Sequence, residues 1–373
     1  MNIVYIATST IPSRTASSIH VMKMCQAFAQ NGHEVTLIVP DRKIDREPGV
    51  EDVFSFYGVE KCFEILYLPL LPVKGKGIIS GILAGGKIRR MQPDIIYGRD
   101  LPGCFFASLL DLPVVFESHA PIENYFYSRM FRNLIAKPVF QKLVVITHAL
   151  KEYYSKRDPI LSENIIVAPD GADPVPEDRR PILLLNKENK LQVGYVGHLY
   201  KGKGMEVISN LVRQCDWADF HIVGGAEKDI SYWRKKTKDQ QNIFFYGFLP
   251  HAKTVEYILA FDVTLVPNQK HVSTCITDED IGKWTSPLKI FEYMAAGKAI
   301  ICSDLPVLRE VLENGHNALL CDPDDINSWK EALTFLSERE DVRIQLGENA
   351  KNDFIRKYSW YSRAEKILNE MKP

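Results

Sequence analysis

The sequence predicts an α/β protein of two doubly wound, Rossmann-like parallel-sheet domains facing one another across a cleft. Three observations predict it. Short apolar runs of the kind buried on both faces alternate with helical patterns, the alternation dissolves once near the middle into proline and charge, and it restarts with a glycine-rich turn after its first strand. The 373 residues agree, since domains run to ~100–200 residues each.

In chain order, strands are expected at residues 3–7, 34–39, 64–68, 95–97, 114–117 and 143–146. Between the first two, Ile19, Met22, Met24, Cys25, Phe28 and Ala29 form an apolar helical face that stops at Asn31-Gly32, completing a βαβ unit. Residues 170–181 (DGADPVPEDRRP) read as a linker. A second set of strands follows at 191–196, 220–223, 243–245, 263–266, 299–302 and 318–320. Helical sequence runs from Ser328 to Lys357, and a last amphipathic segment carries Ala364, Ile367, Leu368 and Met371.

Composition narrows the function classes. Lys+Arg 46 against Asp+Glu 47 leaves no global field for a polyanion, so nucleic acid is not an expected partner. The seven cysteines are scattered without a C-x-x-C pair, which argues against a disulfide framework and a cysteine metal site. The opening MNIVYIA has no basic region before its apolar run, and no apolar run approaches the ~20 residues of a membrane span. A cytoplasmic protein is expected, with any membrane contact peripheral at the inner face.

The turn after the first strand, TSTIPSRTASS with Ser17 near its end, contains no glycine, which disfavours a G-x-G-x-x-G dinucleotide site. Its hydroxyl residues suit either a phosphate or sugar contact or a plain turn. The matching turn of the second half, GYVGHLYKGKGM, places Gly197, His198 and Lys203 between a strand and a helix start. Without a G-K-[ST] ending it is no P-loop; it reads as a diphosphate site or as a solvated basic turn. In WTSPLKIFEYMAAGK, Ser286 is placed to cap a helix, Pro287 to open it and Gly297 to end it. Leu288, Phe291, Met294 and Ala295 make the core stripe. Lys289 lies in the first turn, and Glu292 sits on the flank, able to reach a sugar hydroxyl or to remain a surface carboxylate.

These residues resemble the family 4 glycosyltransferases of GT-B fold, retaining enzymes that move a sugar from a nucleotide donor to an acceptor. The likeness runs over nearly the whole chain and is strongest at SPLKIFEYMAAG and in the Gly197–Gly204 loop. It implies an acceptor-side domain at 1–175, a nucleotide-sugar domain at 176–356 and a helix at 357–373 returning to the first domain. It further implies that Glu292 holds the donor ribose, that Lys203 and the N–H groups around Leu288 and Lys289 hold the diphosphate together with Pro287, Gly197 and His198, and that Gly247 and Phe248 border the base. Phe248 reads equally well as core. His119, in the strand-end segment VVFESHA with Glu117 beside it, resembles the active-site histidine; His119, Lys203 and Glu292 are the expected catalytic set.

Two positions depart from the family pattern. His198 stands where an arginine is usual, leaving compensation to its own protonation or to Lys201, Arg14 or Lys289. Trp284 replaces the first acidic residue of the E-x7-E pair, for which the 277–280 stretch, Asp280 included, offers a substitute carboxylate or only a solvated loop tip. Asp170 stands where the linker segment usually has asparagine.

Residues 125–157 hold seven basic residues to one acidic, interleaved with seven aromatics, a pattern that suits anionic lipid, a polyprenyl-diphosphate acceptor or an ordinary packed helix. The resemblance thus implies a UDP-hexose donor, glucose by preference, a glycan or lipid-linked acceptor in envelope or exopolysaccharide synthesis, and neither metal nor cofactor. Its rivals are a nucleotide-sugar epimerase of the same fold and an inactive sugar-nucleotide-binding protein.

Overall fold

The structure, a computed structural model, describes residues 1–70, 75–185, 190–272, 280 and 282–371. The chain forms two units, Met1–Asp170 with Trp360–Pro373, and Gly171–Ser359. The first unit is built on β1 (Asn2–Ile6), β2 (Glu34–Asp41), β3 (Glu64–Pro69), β4 (Ile95–Gly98), β5 (Val114–Ser118), β6 (Phe140–Val145) and β7 (Ile165–Val167), in the order β3-β2-β1-β4-β5-β6-β7. Every pairing is parallel; Ile3, for example, lies opposite Val35 on one side and Ile95 on the other. The crossovers carry α1 (Ala16–Gln30), α2 (Val53–Tyr57), α3 (Lys76–Met91), α4 (Leu101–Ala107), α5 (Tyr125–Ile135) and α6 (His148–Arg157).

The second unit repeats the plan with β8 (Leu191–Val196), β9 (Ala218–Val223), β10 (Ile243–Gly247), β11 (Val263–Val266), β12 (Ala299–Ser303) and β13 (Leu319–Cys321), ordered β10-β9-β8-β11-β12-β13 and again parallel. Its helices are α7 (Met205–Gln214), α8 (Glu227–Lys236), α9 (His251–Ala260), α10 (Leu288–Ala295), α11 (Ile326–Glu338) and α12 (Glu340–Lys357); α13 (Trp360–Glu370) then belongs to the first unit. The order reverses beside β1 and beside β8, and at such switch points parallel sheets open a crevice at the strands' C-terminal ends.

Four local expectations are corrected. The predicted face of α1 understates its burial: Ser18, His20, Lys23 and Gln26 are buried along with the apolar residues, because α13 packs on the helix as well as the sheet. Lys23 survives burial by donating to Gly58 O at 2.7 Å, and Gln26 by accepting from Glu60 N–H at 2.6 Å. The helical stretch after Ser328 is two helices, broken at Arg339 (φ −119°, ψ 77°). In α10 the cap position falls on Pro287, whose ψ of 120° is extended, so Ser286 precedes the cap and the helix opens at Leu288. Strand β7, only three residues long, was not expected from the sequence.

Candidate functional site

In the second unit the C-terminal ends of three strands meet at glycines. Gly197 N–H donates to Val223 O at 2.9 Å after β8, and Gly224 N–H to Gly247 O at 2.7 Å. Val196 N–H donates to Tyr293 Oη at 2.8 Å, fixing the end of β8 against α10. Across this join lies Lys289. Its Nζ sits 3.0 Å from where a Cβ on Gly197 (φ +138°) would stand and 3.6 Å from the centroid of the Tyr195 ring. The ammonium is buried and has no hydrogen-bond partner among the described residues. Burial first, then the charge of Lys203, pushes its pKa well below the usual lysine range, against the pull of Glu292. A cation held this way is costly until an anion joins it.

Of the other predicted donor-side residues, Lys203 and Glu292 lie close enough to act on that charge. His198 stacks on Tyr200 with ring centroids 5.5 Å apart, and Lys203 Nζ lies 5.4 Å from the same ring. Glu292 Oε1 is 3.5 Å from Nδ1 of His251, the first residue of α9; sequence reasoning missed His251, whose only signal was its place directly after the Gly247–Pro250 turn. Phe248 is 36% exposed, so its alternative as core does not hold. Gly204 serves packing: at φ +90° it sits so close to Pro267 O that no Cβ fits. Asp280 binds its own loop, accepting from Val272 N–H at 3.0 Å and Gly282 N–H at 2.9 Å, with His271 Nδ1 at 2.9 Å. The companion residues 277–279 lie outside the described residues.

In the first unit the hydroxyl-rich turn is tied largely to itself. Thr15 caps α1 by accepting from Ser18 N–H, Ser9 Oγ lies 2.7 Å from Ser17 Oγ, and Tyr57 Oη both accepts from Ser13 N–H and donates to Ser13 O. Beyond it, at the end of β5, stands Glu117. Its Oε2 accepts from Tyr97 Oη at 2.5 Å, while its Oε1 lies 2.6 Å from His119 Nε2, 2.7 Å from Arg363 Nη2 and 3.0 Å from His20 Nε2. His20 Nδ1 in turn meets Asp170 Oδ1 at 2.8 Å. Burial would raise the pKa of Glu117; the Arg363 guanidinium, then His20 and His119, reverse that and hold it well below the carboxylate range. His119 goes down to about 4, through burial and then Arg99, with Glu117 opposing.

Sequence reasoning paired Glu117 with His119 but missed His20, Tyr97 and Arg363. His20 lay hidden in a helix read as apolar on one face, and Arg363 comes from the far end of the chain. His20, His119 and Asp170 bring one possible ligand atom each within 4.8 Å of one another, the geometry of a cation site. The Arg363 guanidinium on the neighbouring carboxylate opposes a second cation there.

The basic-aromatic stretch divides between core and surface. Phe131 and Tyr154 are core, and Arg157 is spent on Ile122 O, Tyr153 Oη and Ser128 Oγ. Tyr125, Phe126 and Tyr127 are exposed at the start of α5. No described helix is long and apolar enough to cross a membrane.

Comparison with known proteins agrees with this architecture. The family model for glycosyltransferase family 4 matches residues 17–175, and that for glycosyl transferases group 1 matches residues 177–353. The chain belongs to the family 4 glycosyltransferases and has the GT-B fold. It is similar to an uncharacterized glycosyltransferase of Methanocaldococcus jannaschii, 26% identical over 64% of this chain and 59% of that protein. It is also similar to the N,N'-diacetylbacillosaminyl-diphospho-undecaprenol α-1,3-N-acetylgalactosaminyltransferase of Campylobacter jejuni, 24% identical over 38% of this chain and 33% of that one. The chain thus spans 59% or less of the first curated relatives it matches. Among solved structures, Anabaena HepE in complex with UDP superposes with a TM-score of 0.74 at 14% identity over 99% of both chains, and it has also been solved with UDP-glucose.

Proposed function

We propose that the protein is a retaining glycosyltransferase that moves a hexose, glucose by preference, from a UDP-sugar to a glycan or lipid-linked acceptor in envelope or exopolysaccharide synthesis. The observation that carries the reading is the buried ammonium of Lys289 beside Gly197, at the first turn of α10, which has no hydrogen-bond partner among the described residues. An oxyanion of a diphosphate is its natural partner: it supplies the missing acceptor, and the helix N-terminus adds a favourable dipole. Lys289 also answers the departure at His198, because it brings a cation to the start of the same loop, whereas Lys201 is exposed. In this reading Glu292 receives the ribose and Lys203 shares the diphosphate.

Catalysis is then mostly electrostatic. Lys203, Lys289 and the α10 N-terminus stabilise the charge that grows on the leaving diphosphate. His119, kept neutral, hydrogen-bonds a hydroxyl of the sugar, and the acceptor hydroxyl attacks from the face the leaving group vacates, its proton passing to an oxygen of the departing diphosphate. No metal is needed. A lipid-linked acceptor belongs to the same proposal, supported by the exposed Tyr125, Phe126 and Tyr127 and by the diphospho-undecaprenol substrate named for the Campylobacter relative. Peripheral binding to anionic vesicles is expected, and is weakened by Tyr125→Ser with Phe126→Ser.

The test is calorimetry with UDP, UDP-glucose and other nucleotide sugars, with and without EDTA. Binding of UDP and one UDP-sugar, unaffected by EDTA and weakened about 10- to 100-fold in Lys289→Met, is the expected result. Absence of binding by any nucleotide overturns the donor assignment.

A further inference from the structure

The reading of His119 as a sugar contact depends on which ring nitrogen carries the proton, and the first unit contains a device that decides it. A neutral imidazole has one N–H and one lone pair. An ionised carboxylate only accepts, so with Glu117 ionised the proton of His119 must sit on Nε2, 2.6 Å from Glu117 Oε1. Nδ1 is then left as the acceptor.

Glu117 is almost completely buried, with 2% of its surface exposed. A carboxylate in that position stays ionised only while cations or donors face it. Tyr97 from β4, His20 from α1, His119 after β5 and Arg363 from α13 do so, with Asp170 behind His20 and Arg99 acting on His119. Of these, only Arg363 is both within 2.7 Å of the carboxylate and permanently charged. Its other contacts hold it still: Nε donates to Pro169 O at 2.9 Å and Nη2 also to Ala168 O at 3.0 Å. Without that guanidinium the carboxylate loses its one fixed cation, and whenever a proton then sits on Oε1 toward His119, Nε2 must accept and the ring's proton moves to Nδ1.

We propose that Arg363, supported by His20, is a positioning residue that selects the tautomer of His119: acting through Glu117, it keeps Nε2 the donor and leaves Nδ1 as the acceptor for a hydroxyl of the sugar. This rests on the proposed role of His119 and adds to it a residue from the last helix, in a segment outside the residues matched by the family models. The same arrangement explains why α13 turns back onto α1, since it brings the matching charge to a carboxylate already buried by β4 and β5.

The experiment uses the full chain labelled with 15N-histidine. Long-range proton–nitrogen spectra near pH 7 are expected to show His119 as the Nε2–H tautomer in the wild type. Arg363→Met is expected to shift it toward Nδ1–H, with Arg363→Lys retaining the wild-type pattern. UDP release from UDP-glucose is expected to fall 10- to 100-fold in kcat in Arg363→Met, with KM and UDP affinity within about two-fold, as a change at the sugar rather than the nucleotide requires. If Arg363→Met does not fold, His20→Gln, which weakens the same carboxylate, is read in the same way and is expected to raise the Nδ1–H fraction. An unchanged His119 spectrum in the folded variant overturns the proposal. Full activity of His119→Ala overturns instead the role assigned to His119, so the two failures are distinguishable.

Discussion

Each unit buries charge near the C-terminal end of a strand, Glu117 in β5 and Lys289 beside the end of β8, and the two handle it in opposite ways. In the first, one carboxylate of Glu117 is surrounded by Tyr97, His20, His119 and Arg363. In the second, the ammonium of Lys289 is buried with an aromatic face and, among the described residues, no acceptor. The first cluster is completed by the protein's own side chains, whereas for the second the missing acceptor is the diphosphate proposed above. On that reading the difference separates a group that holds geometry from one that holds ligand.

Removing each charge therefore has opposite consequences. Glu117→Gln strips the common partner from a buried guanidinium and two imidazoles, and is expected to cost about 3–5 kcal/mol of stability, read as a lower denaturation midpoint. Lys289→Met removes a buried amino group with no hydrogen-bond partner among the described residues, so the free protein is expected to be at least as stable as the wild type. Affinity for UDP falls by about 1.5–3 kcal/mol, the usual worth of hydrogen bonds to a charged group, as measured by calorimetry. A loss of stability in Lys289→Met comparable with that of Glu117→Gln breaks the comparison.

Acid sharpens it further. His119 titrates at about 4 in the folded protein and near 6.5 when unfolded, so between those values the unfolded chain binds a proton that the native one refuses. Its contribution is complete above that window and is lost as pH falls through it, with a slope of up to about 1.4 kcal/mol per pH unit. Asp100, raised to about 7 by burial, runs the other way. The His119 part is accordingly the difference between thermal unfolding of wild type and of His119→Gln measured from pH 7 to 4. Smallest of the set, Thr15→Ala removes the cap of α1 and its hydroxyl contacts with Ser13 and Ser18 and is expected to cost about 1 kcal/mol, a shift of a few degrees in Tm, with UDP binding unchanged.

Much of this was legible in the residues. The parallel strands announced themselves as short apolar runs, and β8 and β11 fall on the residues expected. The Gly197–Gly204 turn and the SPLKIFEYMAAG helix pointed to the end of β8 and the start of α10. What the residues could not disclose was use. Gly204 reads as ligand space from sequence but is occupied by Pro267 O, and Asp280 reads as a sugar carboxylate but ties its own loop. His20 and Arg363 were illegible for a different reason: they act on Glu117 across 97 and 246 positions of sequence, and no local pattern encodes such a pairing.

The return of α13 to the first unit also orders events during synthesis. Glu117 leaves the ribosome long before Arg363, with the whole of Gly171–Ser359 made in between. At about 5–20 residues per second, the roughly 190 intervening residues take on the order of 10–40 s. For that time the nascent first unit has only Tyr97, His20 and His119 to face Glu117, and the cluster reaches its final form only once Arg363 has been made after the second unit.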